Sequence, residues 1–502
     1  MSVKRQLSSL TPPPFSEFRD KTWEDYILKK LAPFEKDTSS YLKFWFHESG
    51  DAISSYPNQG LLLTPFDFLD HTKTTMLSAE IMIKTLRVRQ FVLELFNHPE
   101  RLAFLKSVQQ KKFIAPAKIN SHVMENYPAE GLALSISDLG VGVVGSNRTR
   151  VGRADRLLAG PFVKMGRYAR SLLVGSAMPD IYGSVSAIST MAQLHSLVGL
   201  PRNSVFNDVS RQVDLAKEVF NALGESEVLI NHPDRRWLLK QWRHNVMGVV
   251  ETESQKALFR AQALYDVGVR AFRVYSPEPG LAVIDTVKTL RKYLGNDIEI
   301  FAGQVVEVEQ AKRLEDAGAD GLYVGIGGGG RCITGVRSGS VIDWPELVWS
   351  MRGEIGIPVV VEGGASDHIA TTLALGATGI GVSRIGGGGT IESPGGMLFC
   401  VDQEGRFFKP YGGEASARTK YLDHHMLPFG IPSFVEGETR KALMSYFQYA
   451  LPTMAFNIYS LTEDVILSYV FRAVADLHEY HALNPSPLRR KTASGEAAQN
   501  TH

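Results

Sequence analysis

The chain has 502 residues, 44% of them hydrophobic and 21% charged, and a formal net charge of +1. That length suits a large single barrel with an appendage, and that balance suits a globular protein. A charge so near zero excludes broad electrostatic binding to nucleic acid or to an anionic membrane. Two cysteines, Cys332 and Cys400, cannot form a disulfide framework and point to a reducing compartment. The N-terminal stretch has no apolar signal-peptide core, and no apolar run reaches the roughly 18 residues of a membrane span. The expectation is a cytoplasmic protein without nucleic-acid or membrane partners.

Residues 1–20 are polar and broken by proline, which predicts a loose arm. From Thr22 to about Gln110 apolar residues recur at three- and four-residue spacing, predicting a mostly helical extension over residues 1–130. No chemistry is legible there, and its expected uses are packing or docking of a partner. At about Gly131 the texture changes. Strand-like runs at 172–178, 245–251, 271–276, 298–306, 322–324, 357–364 and 379–385 alternate with helical ones, and a short strand at 195–200 completes eight βα units. The expected fold is an α/β (β/α)8 TIM barrel over 131–440, with an open doubly wound sheet as the alternative. FCVDQEGRFFKPYGG (399–413) predicts a hairpin, and 414–440 a polar lid. Residues 441–502 are expected to hold C-terminal helices, beginning near Thr439 and running to His481, and a disordered tail from Asn484.

The stretch GLYVGIGGGGRCIT (321–334) carries the clearest chemical signal. A strand runs into four glycines, and a thiol follows two residues later. Glycines let the backbone approach a ligand and turn its N–H groups onto an anion. A thiolate at the carboxyl end of a barrel strand is placed to act as a nucleophile. Cys400, on an apolar hairpin strand, is expected to be structural. Asp423, His424 and His425 are adjacent, a spacing that rarely chelates one ion, so no metal site is expected.

Several motifs together carry a family resemblance. VGIGGGGRCITGVRSGS resembles the catalytic loop of the IMP dehydrogenase/GMP reductase family, VGIGPGSxCTT. FAGQVVEVEQAKRLEDAGADGLYVGIG resembles the two units before it. IPVVVEGGASDHIATTLALGATGIGV resembles the family's IxDGG unit, GTIESPGG its GTEESPG turn, and LLVGSAMPDIYGS its first barrel strand. The resemblance covers roughly Gly131 to Arg440. It implies a barrel that binds a purine nucleoside monophosphate at its C-terminal face. It also implies NADPH or NADP as hydride carrier, a monovalent cation at the 327–332 loop and a homotetramer.

Carried over residue by residue, the resemblance makes Cys332 the nucleophile at purine C2. Thr334 and Glu436 become partners that handle ammonia and its protons. Gly327, Gly329, Gly330 and Arg331 fall in the substrate loop. Ser176 and Met178 flank the purine. Glu362, Gly363 and Gly364 meet the ribose or phosphate, and Ser383, Arg384 and Tyr411 the phosphate. Tyr275 and Gln304 fall on the cofactor side. EGETR (436–440) matches the reductase ending EGKTV, and no Arg-Tyr dipeptide lies between Tyr411 and Glu436. The reading is therefore GMP reductase-like reductive deamination. The alternatives are IMP dehydrogenase-like oxidation, a modified purine nucleotide, or a nucleotide-binding regulatory or assembly protein. The sequence departs from the family at Tyr275, where the family has a ribose-binding aspartate. It departs also at Glu362 (Asp), Gln304 (Asn), Gly330 (Ser) and Ile333 (Thr).

Overall fold

The computed structural model describes residues 73–121, 160–276, 281–325, 343–363, 368–383, 388–422, 434–444 and 451–490, with short pieces at 123–124, 132–134, 153, 156–157, 337–339, 365, 426–427 and 431–432. In chain order the N-terminal part holds β1 (Lys73–Met76), α1 (Ala79–Phe96), α2 (Pro99–Gln110) and β2 (Leu132–Leu134). A hairpin, β3 (Phe162–Met165) and β4 (Tyr168–Ser171), leads into the barrel. The barrel then runs β5 (Leu173–Val174), α3 (Val185–Gln193), β6 (Val198–Leu200), α4 (Val209–Gly224), α5 (Arg235–His244), β7 (Val246–Val250), α6 (Ser254–Asp266) and β8 (Ala271–Tyr275). It continues through α7 (Leu281–Leu294), β9 (Glu299–Gly303), α8 (Val308–Asp316), β10 (Gly321–Val324), α9 (Trp344–Ser350), β11 (Val359–Val361), α10 (Ile369–Leu375) and β12 (Gly379–Gly381). After it come β13 (Leu398–Val401), β14 (Phe407–Gly412), β15 (Thr439–Leu443), α11 (Met454–Val470), α12 (Leu477–His481) and β16 (Leu488–Arg490).

Strands β5 to β12 form one eight-stranded parallel sheet in the order 5-12-11-10-9-8-7-6. Backbone bonds join its two ends. Gly175 N–H donates to the Leu197 carbonyl at 2.7 Å, and Gly199 N–H to the Ser176 carbonyl at 3.2 Å. The ring therefore closes as a (β/α)8 barrel, and the open-sheet alternative falls. All five residues of VMGVV in β7 are buried, because one face meets the lumen and the other the helices. Helix α4 buries Gln212, Leu215, Ala216, Val219, Phe220 and Leu223, a single stripe at helical spacing, and Asp208 caps it by accepting the Ser210 N–H at 2.8 Å. The β3–β4 hairpin stops the N-terminal end of the barrel, where Met165 and Ala169 are fully buried.

Helices α1 and α2 share the barrel's core through Val92, Leu93, Phe96, Leu102 and Leu105. Helix α11 packs on α1, α3 and α10. Glu392, fully buried in the turn before β13, ties these parts together. It accepts the Met454 N–H at 2.8 Å, capping α11, and pairs with Arg89 of α1 at 3.4 Å.

The described part of the extension is mostly helical, as expected, and β1 adds a strand that pairs antiparallel with β13. Two expectations need correction. The helix expected from Thr439 is β15 at its start, because the open edge of β14 captures Thr439–Leu443 in a five-residue antiparallel ladder. The chain after Asn484 is ordered as far as Arg490, where β16 pairs with β2 and Leu488 is buried. In each case a distant strand edge overrode the local signal.

Candidate functional site

The carboxyl ends of the barrel strands gather most of the described candidate residues. Ser176, after β5, is buried, and its Oγ accepts the Met178 N–H at 3.4 Å. Tyr411 on β14 is also buried, and its hydroxyl points at Met178 Sδ, 3.3 Å away. Asp180 holds β14 against this loop by accepting the Gly412 N–H at 2.8 Å. Ser383 follows β12, half-buried, next to Val382, whose carbonyl accepts the Tyr182 hydroxyl at 2.6 Å. The Glu436 N–H donates to the Ala415 carbonyl at 2.9 Å, which sets Glu436 beside the segment that follows Tyr411. Gly327, Gly329, Gly330, Arg331, Cys332, Thr334, Gly364 and Arg384, the 327–332 cation loop and Asp423 to His425 lie outside the described residues.

The centre of this mouth is an arginine that sequence reading passed over. Arg273 sits in β8, two residues before Tyr275, so both side chains face the lumen. Its guanidinium forks onto Glu362, with Nη1 to Oε1 at 3.0 Å and Nη2 to Oε2 at 2.6 Å. It lies between two aromatic faces, 4.3 Å from the Tyr275 centroid and 4.1 Å from that of Tyr323. Burial pulls the guanidinium down, but Glu362, Tyr323, Tyr275 and Glu414 together outweigh it and hold it above its ordinary value. Gly325, which follows β10, lets that strand end run close beside Glu362. At φ +127° a Cβ on Gly325 would lie 2.1 Å from the Glu362 carbonyl oxygen.

Glu414 is a second residue that was missed. Burial raises its carboxyl above the usual carboxylate range, opposed by Arg273 and Arg202 and reinforced by Glu362. Tyr275 is pushed up as well, by burial first and by Glu414 second, while Arg273 and a hydrogen bond with Gln304 oppose. Among the described residues, three buried polar atoms here have no partner: Arg273 Nε, Gln304 Oε1 and Tyr323 Oη. Each can serve a ligand, and burying such a group unsatisfied costs about 1–3 kcal/mol. One signal could have exposed Arg273, a lone charge in the otherwise apolar strand AFRVY, which must find a buried counter-ion.

The arrangement suits recognition of a polar, hydroxyl-rich ligand, with a paired carboxylate, a raised carboxyl and unfilled amide and phenol groups at one mouth. Among the described residues no cluster of three His, Cys, Asp or Glu side chains could hold a metal ion, and no helix is long and apolar enough to cross a membrane. Cys400 is buried in the hairpin, as expected of a structural cysteine.

Comparison with known proteins supplies the relatives of this barrel. The family model for the IMP dehydrogenase / GMP reductase domain matches residues 168–440. The chain is 33% identical over 170 residues to an inosine-5'-monophosphate dehydrogenase of Mycobacterium leprae (strain TN), covering 32% of this chain and 31% of the relative. It is 31% identical over 192 residues to the Cryptosporidium parvum inosine-5'-monophosphate dehydrogenase, covering 35% and 47%. It is 28% identical over 232 residues to a GMP reductase of Leishmania donovani, covering 44% and 47%. The chain thus spans about a third to a half of the length of these relatives.

Proposed function

The chain belongs to the IMP dehydrogenase/GMP reductase family, and from that premise we propose that it is a purine nucleotide oxidoreductase that binds a nucleoside monophosphate at the mouth built by Ser176, Met178, Glu362, Gly363, Ser383 and Tyr411. The observation that carries this reading is the convergence of Ser176, Met178 and Tyr411 at the carboxyl ends of the strands within the matched domain. The finer reading is reductive deamination, with NADPH as the expected hydride source. It rests on Thr334 and on EGETR at 436–440. In it the Cys332 thiolate adds to purine C2, the bond from C2 to the exocyclic nitrogen breaks, and ammonia leaves with a proton passed through Glu436 and Thr334. A homotetramer in the cytoplasm, with residues 1–130 and 441–502 flanking the barrel, belongs to the same proposal.

The nicotinamide side fits less well. The family's ribose contact is a carboxylate, and position 275 carries a phenol engaged with Arg273 and Gln304. The residues present do not fit that contact. The same observation, with the Arg273–Glu362 fork, favours a second reading, a protein that binds a purine nucleotide without turning it over.

An absorbance assay at the nicotinamide band separates the two. Wild type and Cys332→Ala are run with GMP, IMP and XMP against NADPH, NADP and NAD, with thermal shift in parallel. Turnover of GMP with NADPH that vanishes in Cys332→Ala is the expected result. Thermal stabilisation by a nucleotide with no turnover in any pairing replaces the enzyme reading with the binding one.

A further inference from the structure

The opposite end of the barrel holds a cavity of about 690 Å³, within the range of roughly 300–1,000 Å³ usual for ligand sites. It is built from the segments that precede β5, β7, β8 and β9. Five cationic side chains line it, Arg167, Arg236, Lys240, Arg243 and Arg270, against two carboxylates, Asp297 and Glu299. Neither carboxylate is available to offset them. Glu299 is buried under the Arg170 fork. Asp297 is taken up by Arg270 at 3.1 Å and by the Tyr265 hydroxyl at 2.8 Å. Arg167 is paired with Asp320 at 3.0 Å.

That leaves Arg236, Lys240 and Arg243, all exposed and none in an ion pair among the described residues. They stand at i, i+4 and i+7 of α5, one stripe along the cavity wall. A basic residue in the last turn of a helix is commonly explained by the helix dipole, and that covers Arg243 and His244. It does not cover Lys240 and Arg236, which lie about one and two turns earlier. Nor does overall charge account for the stripe, since the chain carries only +1. His244, stacked on Tyr168 at 4.1 Å, is held down to about 4 by burial and then by Arg170, Lys240 and Arg270. It is therefore neutral near pH 7 and presents a flat aromatic pair beside the cations.

We infer that this cavity, at the end of the barrel away from the proposed nucleotide mouth, is a binding site for an oligophosphate group. The chemistry is that of three cations outside any ion pair among the described residues, with Arg243 also over the Phe220 ring at 5.4 Å; spaced along about two helical turns, they match a chain of phosphates better than one isolated phosphate. The phosphate chain could belong to a nucleoside triphosphate or to free polyphosphate, and both are tested.

Tripolyphosphate and ATP are titrated calorimetrically into the full chain. The wild type is expected to bind tripolyphosphate, more weakly as salt rises. Arg236→Glu/Lys240→Glu is expected to weaken binding about tenfold or more. A control of equal charge change elsewhere, Lys217→Glu/Lys256→Glu, is expected to leave it within about twofold. Thermal melting without ligand checks that both variants fold, as their exposed positions predict. Tighter binding of ATP than of tripolyphosphate would assign the Tyr168–His244 pair to the base, and equal binding would assign recognition to the phosphates alone. No binding by the wild type, or equal losses in the two variants, overturns the site.

Discussion

At the N-terminal end of the lumen Arg170 holds Glu299, and at the C-terminal end Arg273 holds Glu362. Both are forks of one guanidinium on one carboxylate, and both arginines are almost fully buried. The surroundings differ. Arg170 also donates to the Asn245 side chain at 3.1 Å and to the carbonyls of Met165 and His244 at 2.6 and 2.7 Å, so each of its nitrogens is engaged. Glu299 accepts in addition the Arg167 N–H at 2.7 Å. Arg273 leaves Nε without a partner, and the side chain of Glu362 keeps 16% of its surface exposed. A buried pair is tolerated where every proton and lone pair is used. The N-terminal pair is complete and serves the fold, while the C-terminal pair is unfinished and keeps capacity for a ligand.

The comparison breaks most sharply at Arg170. Arg170→Met strands Glu299 in the closed lumen, and the expected loss is about 3–5 kcal/mol of stability, read from the guanidinium unfolding midpoint. A loss below about 1 kcal/mol would show that the N-terminal pair is not what holds that end. Gly325→Ala comes next. Its Cβ collides with backbone at φ +127°, so a loss of about 2–4 kcal/mol is expected, with Glu362 displaced. An unchanged melting curve would refute the close approach at that strand end.

Arg273→Met should cost less, about 1–3 kcal/mol, because Glu362 can turn its exposed edge to water. Nucleotide affinity, followed by thermal shift, should change with it. A stability loss equal to that of Arg170→Met, with nucleotide affinity untouched, would erase the distinction between the two ends.

A further effect is expected in acid. Burial holds His244 down to about 4 and His481 to about 3, from an ordinary value of 6.5. As pH falls below about 6.5 the unfolded chain takes up protons at both rings before the folded chain does, so stability declines through that window. His244 adjoins the N-terminal pair. Amide exchange around Arg270 should therefore quicken at a higher pH than exchange around Glu362, and the reverse order would count against the ranking.

The eight βα units and the hairpin at 399–413 were legible from the residues themselves, whereas the candidate residues of the C-terminal mouth came with the family resemblance. Buried parallel strands must be apolar on both faces, helices between them must be amphipathic, and glycines must stand where strands end. Such requirements are local and leave a local trace. Ser176, Met178, Glu362 and Tyr411 were singled out because each falls in a stretch that resembles a family motif. Partnership left no such trace. Nothing in TRKAL announces that Pro410 and its neighbours will pair with it, and nothing in PLRR names Leu132–Leu134. Arg273 and Glu362 are 89 residues apart, and Arg170 and Glu299 are 129 apart. Which charge meets which, and whether the meeting uses every donor, follows only from closing the barrel, because closure alone brings those strands around one lumen.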